Sequence, residues 1–269
     1  MPTADVDPDL CKRGGIRFTV DGACATITLD RPDVLNAMVP STWEALRQIG
    51  LGLAPDVRVV VVRGSGRAFS AGLDKAMFTP DQVPGEPGLT QIASVPAAEG
   101  DAIIDSFQQG FRWLADPDRI TVAVVHGHAI GGGFQLALAC DLRIATPDAK
   151  FTMAEPSRGI VPDLTGTLNL VRAVGYSRAV DICLTGRRVG AEEALGMGLV
   201  NRMVAAEELD ATVDALVADL LRPMPGASRE TLGLLAKAAD NPTLDVQRAA
   251  EREAQLRRLA ELAALLGGS

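Results

Sequence analysis

The feature that most constrains this chain is "RITVAVVHGHAIGGGFQLALACD", residues 119–141. Its opening apolar run has no polar alternation, which predicts a strand covered on both faces. Three glycines follow, Gly131, Gly132 and Gly133, and then an apolar stretch that reads as a helix. Glycine lets backbone approach a neighbour closely. The first N–H groups of a helix are unpaired, and its dipole favours negative charge there. The design recurs upstream. "VRVVVVRG" (57–64) is a second short apolar run, and it breaks into the glycine-rich "SGRAFSAGLDK". One such turn could be purely structural. Two, each at the end of a buried strand, predict an anion site built from backbone donors.

The rest of the chain fits an α/β sheet followed by a helical tail. "IRFTVDGACATITLDRP" holds two alternating runs around Asp21-Gly22, a hairpin pattern. "STWEALRQIGLGL" opens with Ser41 and Glu44 at capping-box spacing. Residues 79–100 are rich in Pro and Gly and read as a mobile surface segment. Residues 102–116 have helical periodicity. "LRIATPDAKFTM" (142–153) reads as a strand pair around Pro147-Asp148. A strand is expected at "GLVNRMV" (198–204), a break at Pro223–Pro225, and a long terminal helix after it. That helix is amphipathic, so it either packs on its own core or joins subunits. The expected organisation is a loose leader over 1–15, a core with the ligand site over 16–205, and a helical region over 206–269.

Composition narrows the function. The 269 residues carry a net charge of −8, which argues against a nucleic-acid surface. A small anionic ligand stays possible, because a few N–H groups suffice to hold one. No apolar run is long enough to span a membrane, and the start of the chain lacks a signal pattern. Cys11, Cys24, Cys140 and Cys183 are scattered without metal-ligand spacing. Cys140 and Cys183 read as buried thiols. A reducing cytoplasm fits this usage.

"GSGRAFSAGLDK", "GHAIGGGFQLALACDLRIATPDAKF", "GIVP" and "LTGRRVGAEEALGMGLVNRMV" together resemble the crotonase superfamily, the enoyl-CoA hydratases and isomerases. The likeness runs from about Ile16 to the end of the chain, with its landmarks in order. It implies a ClpP-like spiral of ββα units, with C-terminal helices that build a homotrimer or a dimer of trimers. It implies an acyl-CoA thioester as substrate, with coenzyme A part of that substrate and no separate cofactor or metal. By motif position, the N–H groups of Leu73 and Gly132 would hold the thioester oxygen as an enolate. Ala71, Gly72, Gly131, Asp74 and Gln135 would line the pocket. Arg67 and Lys75 flank the first turn, along which the family lays the adenine of the carrier, and either are solvated surface residues or meet the carrier's phosphates.

The resemblance also carries a departure. The family's hydratases use two glutamates. The first lies just after the triple glycine, and here that position is Gln135. The second precedes the "G-x-x-P" turn, and here it is Glu155. Asp163 stands where dienoyl isomerases of the family place a further aspartate, although it could also cap the helix that follows. Gln135 either caps its own helix or hydrogen-bonds the substrate. An amide cannot take up a proton at neutral pH, so two-glutamate hydration is compromised. Moving a double bond needs only one carboxylate as proton shuttle. The leading expectation is therefore an acyl-CoA isomerase using Glu155. A hydratase using Glu155 with Asp163 is the second, and a catalytically silent acyl-CoA binder the third. His126 and His128 read as strand-end residues, since no serine nucleophile motif accompanies them.

Overall fold

The computed structural model describes residues 6–79 and 85–267. Its strands are β1 (Ile16–Asp21), β2 (Cys24–Leu29), β3 (Val59–Gly64), β4 (Ile120–Val125), β5 (His128–Ile130), β6 (Leu142–Ala145), β7 (Lys150–Thr152), β8 (Val189–Gly190) and β9 (Arg202–Met203). The helices are α1 (Pro8–Gly14), α2 (Pro40–Gly52), α3 (Leu89–Ser94), α4 (Ala97–Arg112), α5 (Gly132–Ala139), α6 (Gly166–Val174), α7 (Tyr176–Thr185), α8 (Ala191–Gly196), α9 (Leu209–Leu221), α10 (Pro225–Ala238) and α11 (Leu244–Gly267).

One sheet has the order β1-β2-β3-β4-β6-β9, antiparallel only between β1 and β2. A smaller sheet, β5-β7-β8, stands beside it. The valine run of β3 is continuous because both of its faces are covered. Val60 and Val62 enter the main core with α2 and α5, while Val59 and Val61 enter a second cluster against Leu209, Val213 and Leu216 of α9. The same alternation runs through β4. Arg58, at the start of β3, donates to the carbonyls of Leu221 and Pro223, tying the end of α9 to the sheet.

Several expectations change. Residues 8–14 are not a loose leader: they form α1, which buries Leu10 beside α2. Helix α2 starts one residue before Ser41, with Val39 as its N-cap. The Val39 N–H donates to the Thr42 hydroxyl at 3.1 Å, and Glu44 pairs with Arg47 instead of capping. Within the stretch expected to be mobile, α3 and the first turn of α4 are formed, and residues 80–84 lie outside the described ones. β6 and β7 are not partners. They leave the Pro147-Asp148 turn into different sheets, β6 beside β4 and β7 beside β5. The short β5 and β8 carry no periodic pattern of their own and are defined by these pairings. The strand expected at 198–204 shrinks to β9. Of the cysteines, Cys140 is buried and its thiol is pushed up to about 12 by burial, but Cys183 is only half-buried.

Helix α5 lies at the centre, and every one of its residues is buried. Its C-terminal carbonyls therefore need a partner from the protein. Arg143 of β6 supplies it, donating to the carbonyls of Ala137 at 3.2 Å and Cys140 at 2.6 Å, and also to Leu199 at 2.6 Å. A cation at a helix C-terminus also complements the dipole. We expect Arg143→Leu to lower unfolding stability by about 3 kcal/mol, because three buried carbonyls lose a charged donor. Urea denaturation measures this.

Candidate active site

The two glycine turns meet. Gly72 has φ +82°, and a Cβ there would lie 2.3 Å from the Ile130 carbonyl oxygen and 3.3 Å from the Gly132 nitrogen. Glycine at 72 thus supplies both the left-handed backbone and the close approach. The first turn is laced in place by Leu35–Met38. Asn36, itself left-handed, donates to the Ser65 and Ala68 carbonyls, both at 2.8 Å. Ser70 Oγ donates to the Asn36 carbonyl and accepts the Gly72 N–H. Met38 and Asp74 bond across the turn on either side of Leu73. Among the described residues, the N–H groups of Leu73 and Gly132 have no acceptor.

Two cavities share this wall. One, of about 450 Å³, is lined by Ala71, Leu73, Asp74, Lys75, Gly131, Gly132, Glu155 and Arg158, among others. The second, of about 370 Å³, is nearly all apolar, with Trp43, Met77, Ile92 and Phe107 on its wall beside Gln135, Glu155 and Asp163. Leu73, Gly132, Glu155 and Ile160 line both. The backbone donors and one carboxyl therefore stand at the waist between a polar-mouthed cavity and an apolar chamber.

Glu155 is 7% exposed. Its Oε1 accepts from Gln135 Nε2 at 2.6 Å, and its Oε2 is buried without a partner among the described residues. Burial holds this carboxyl above its ordinary range. Hydrogen bonds from its own backbone and from Gln135 pull the other way, and Asp163 adds an upward push. Burial likewise raises Asp163. Asp163 is not the cap of α6, whose N-cap is Thr165. Its carbonyl takes a bond from Gln108, and the residue lines the apolar chamber.

Gln135 neither caps its own helix nor stands free for a ligand. Its Oε1 accepts the N–H groups of Leu164 at 2.8 Å and Gly166 at 3.2 Å. Asp74 lines the first cavity, but its carboxylate is committed to Arg31 at 2.9 Å and to the Ala76 N–H. Lys75 lines that cavity and Arg67 does not. Neither histidine lines either cavity: His126 contacts the Gly66 carbonyl, and His128 sits in β5. Arg158, over the Phe78 ring at 5.5 Å, and the positioning Asn36 went unnoticed in the sequence. The Arg158 position, three residues past Glu155, was the available signal.

A family model described as Enoyl-CoA hydratase/isomerase matches residues 19–262. A probable enoyl-CoA hydratase of Mycobacterium leprae is 37% identical over 235 residues, 86% of this chain and 78% of that protein. The carnitinyl-CoA dehydratase of Salmonella typhi is 36% identical over 78% of this chain and 76% of its own length. A Thermobifida fusca protein solved in complex with acetoacetyl-CoA is 47% identical, with TM-score 0.91 over 97% of this chain and 99% of that one. The chain belongs to the enoyl-CoA hydratase/isomerase family, in the crotonase superfamily, and has the crotonase fold.

The buried Glu155 carboxyl implies a pH-dependent stability. A raised folded-state pKa means that the folded chain holds its proton more tightly than the unfolded chain. That contribution is complete below the ordinary carboxylate range and is lost as pH rises through the raised value. We expect Glu155→Gln to melt at a higher temperature than the wild type at about pH 8, with the difference fading toward about pH 4. Thermal melts across that range read it directly.

Proposed function

We propose that this enzyme isomerises the double bond of a 3-enoyl-CoA to the 2-position, with Glu155 as its proton shuttle. The observation that carries the reading is the waist itself. A buried carboxyl with a raised pKa stands beside two N–H groups that have no acceptor among the described residues. Support for an acyl-CoA substrate comes from the Thermobifida fusca protein, solved with acetoacetyl-CoA and also with CoA. The cavity carrying Lys75 and Arg158 suits the phosphate-bearing carrier, and the apolar chamber suits the acyl chain.

The thioester oxygen accepts from Leu73 and Gly132. Glu155 takes the C2 proton, and the electron pair left on C2 delocalises into the thioester, giving a dienolate. Each preorganised N–H at that oxygen is worth about 3 kcal/mol in the transition state. The dipole of α5 adds to the Gly132 donor. Glu155 then returns the proton to C4, and the double bond settles between C2 and C3. No water is consumed. A carboxyl with a raised pKa is matched to this exchange, because it must both take and give the proton near neutral pH.

Hydration of a 2-enoyl-CoA is the second reading, and Asp163 is what favours it: a second carboxyl in the same chamber could serve as acid beside Glu155. For the assembly we propose a homotrimer or a dimer of trimers. Its support is the apolar surface on the late helices, where Leu168, Leu184, Leu235, Leu256 and Leu265 are exposed.

Side-by-side turnover of 3-enoyl- and 2-enoyl-CoA separates the readings. We expect 3-enoyl-CoA to be converted faster, and Glu155→Gln to lose at least about 10²-fold in kcat, as removal of a general base should. The acid limb of kcat should lie above the ordinary carboxylate range, with activity lost as pH falls through it. Near-full activity in Glu155→Gln would remove Glu155 as the base.

A further inference from the structure

Gln135 is completely buried, and its amide joins three pieces of chain. It stands in the first turn of α5. Its oxygen accepts from the backbone at the start of α6, and its nitrogen donates to Glu155. These bonds settle which way the amide points. An amide oxygen only accepts and an amide NH₂ only donates. With Leu164 and Gly166 both presenting N–H groups to Oε1, Nε2 must face the carboxyl. Gly166 makes the room: a Cβ there would lie 2.5 Å from Gln135 Cγ.

A donor fixed against Glu155 Oε1 has a consequence for the proton. Oε1 has to accept in both protonation states, since a proton on it would meet an N–H. The proton then belongs on Oε2, the buried oxygen without a partner. We infer that Gln135 is a positioning residue that holds Glu155 Oε1 as a permanent acceptor and confines the transferred proton to Oε2, so that one oxygen both takes and returns it. This rests on the reading of Glu155 as the base.

The amide also explains itself against a carboxylate. A glutamate at 135 could still accept from Leu164 and Gly166. Its other oxygen would then lie about 2.6 Å from Glu155 Oε1. Like charges at that distance cannot both ionise, so the pair would share a proton and titrate as a unit. With an amide there, Glu155 ionises without that neighbour. The remaining titratable groups facing it are Asp163, in the chamber wall, and Cys183 of α7, whose thiol is raised first by burial and then by the Glu155 charge. Arg158, on the turn that Glu155 opens, lies over Phe78.

The test is a set of kcat pH profiles on the intact enzyme with 3-enoyl-CoA. For Gln135→Met we expect kcat to fall by about 10- to 10²-fold with KM within about threefold, as for a misplaced catalytic group. The acid limb should move to higher pH, because the bond that stabilises the carboxylate is gone. Gln135→Glu should keep most activity only over the pH range in which the pair holds one proton, with Glu155 ionised and the protonated carboxyl of the substituted side chain donating to Oε1. It should lose activity both as pH falls and Glu155 is protonated and as pH rises and both carboxyls ionise. A merely structural glutamine would change the melting temperature and leave the limb in place. If Gln135→Met does not fold, Gly166→Ala, which crowds the Gln135 side chain, should move the same limb the same way. A folded Gln135→Met or Gly166→Ala with wild-type kcat and an unmoved limb overturns the inference. Glu155→Gln separates the two ideas: if that variant turns over normally, the base reading has failed, whatever the Gln135 variants show.

Discussion

The structure depends on a helix that has nowhere to hide its ends. α5 is apolar apart from Gln135 and buried along its whole length, so its terminal backbone groups depend on the protein for partners. At the C-terminal end the protein spends an arginine, itself almost fully buried, on the carbonyls of Ala137 and Cys140. At the N-terminal end the Gly132 N–H is left facing a cavity. The same burial that organises the core thus creates a directed, unmet donor. The Gly64–Gly72 turn brings a second one, at Leu73, against it, and glycine at 72 permits the contact.

Charge is treated differently on the two sides of this helix. Arg143 is buried and Asp141 half-buried, and both are bonded: Asp141 accepts from the Thr121 N–H and hydroxyl, and Arg143 has three carbonyls. Glu155, which is buried, and Asp163, which is half-buried, have far less compensation, and burial holds both, like Asp141, above their ordinary range. The first pair ties backbone groups of the fold together. The second costs stability at neutral pH and keeps proton-exchanging groups in an apolar chamber, which is the usual trade at a reactive site. Gln135 sits between these regimes. It spends its oxygen on the α6 start and its nitrogen on Glu155, so the frame and the reactive carboxyl are joined by one neutral side chain.

Much of the frame was legible because it rests on short-range rules. Continuous valines predicted strands covered on both faces, and Asp21-Gly22 predicted the hairpin. Errors fell where distant partners decide. Two strands flanking Pro147-Asp148 look like a hairpin locally, yet each finds a better partner in a different sheet. The start of α2 was misplaced because Thr42, not Ser41, reaches the Val39 N–H. At the candidate site, the positions lining the waist are those that the resemblance to the crotonase superfamily implies, and it gives no role to Asn36 or Arg158. Their roles come from contacts across the fold, to Ser65 and Ala68 for one and to Phe78 for the other.

By itself, the sequence determined that two buried strands end in glycine turns, that the second turn opens an apolar helix, and that a neutral amide and one glutamate stand where a glutamate pair is expected. The first two are properties of neighbouring residues, set by backbone sterics and hydrophobic pattern, and the last is what the resemblance to the crotonase superfamily implies. Tertiary structure alone decided what the amide does. Leu164 and Gly166 come from 29 and 31 residues further along the chain, and Glu155 from 20. Only packing α6 against α5 brings their N–H groups to Gln135 Oε1 and so turns Nε2 toward the carboxyl. A hydrogen bond has a donor end and an acceptor end, and which end of Gln135 meets Glu155 depends on groups that folding alone brings near.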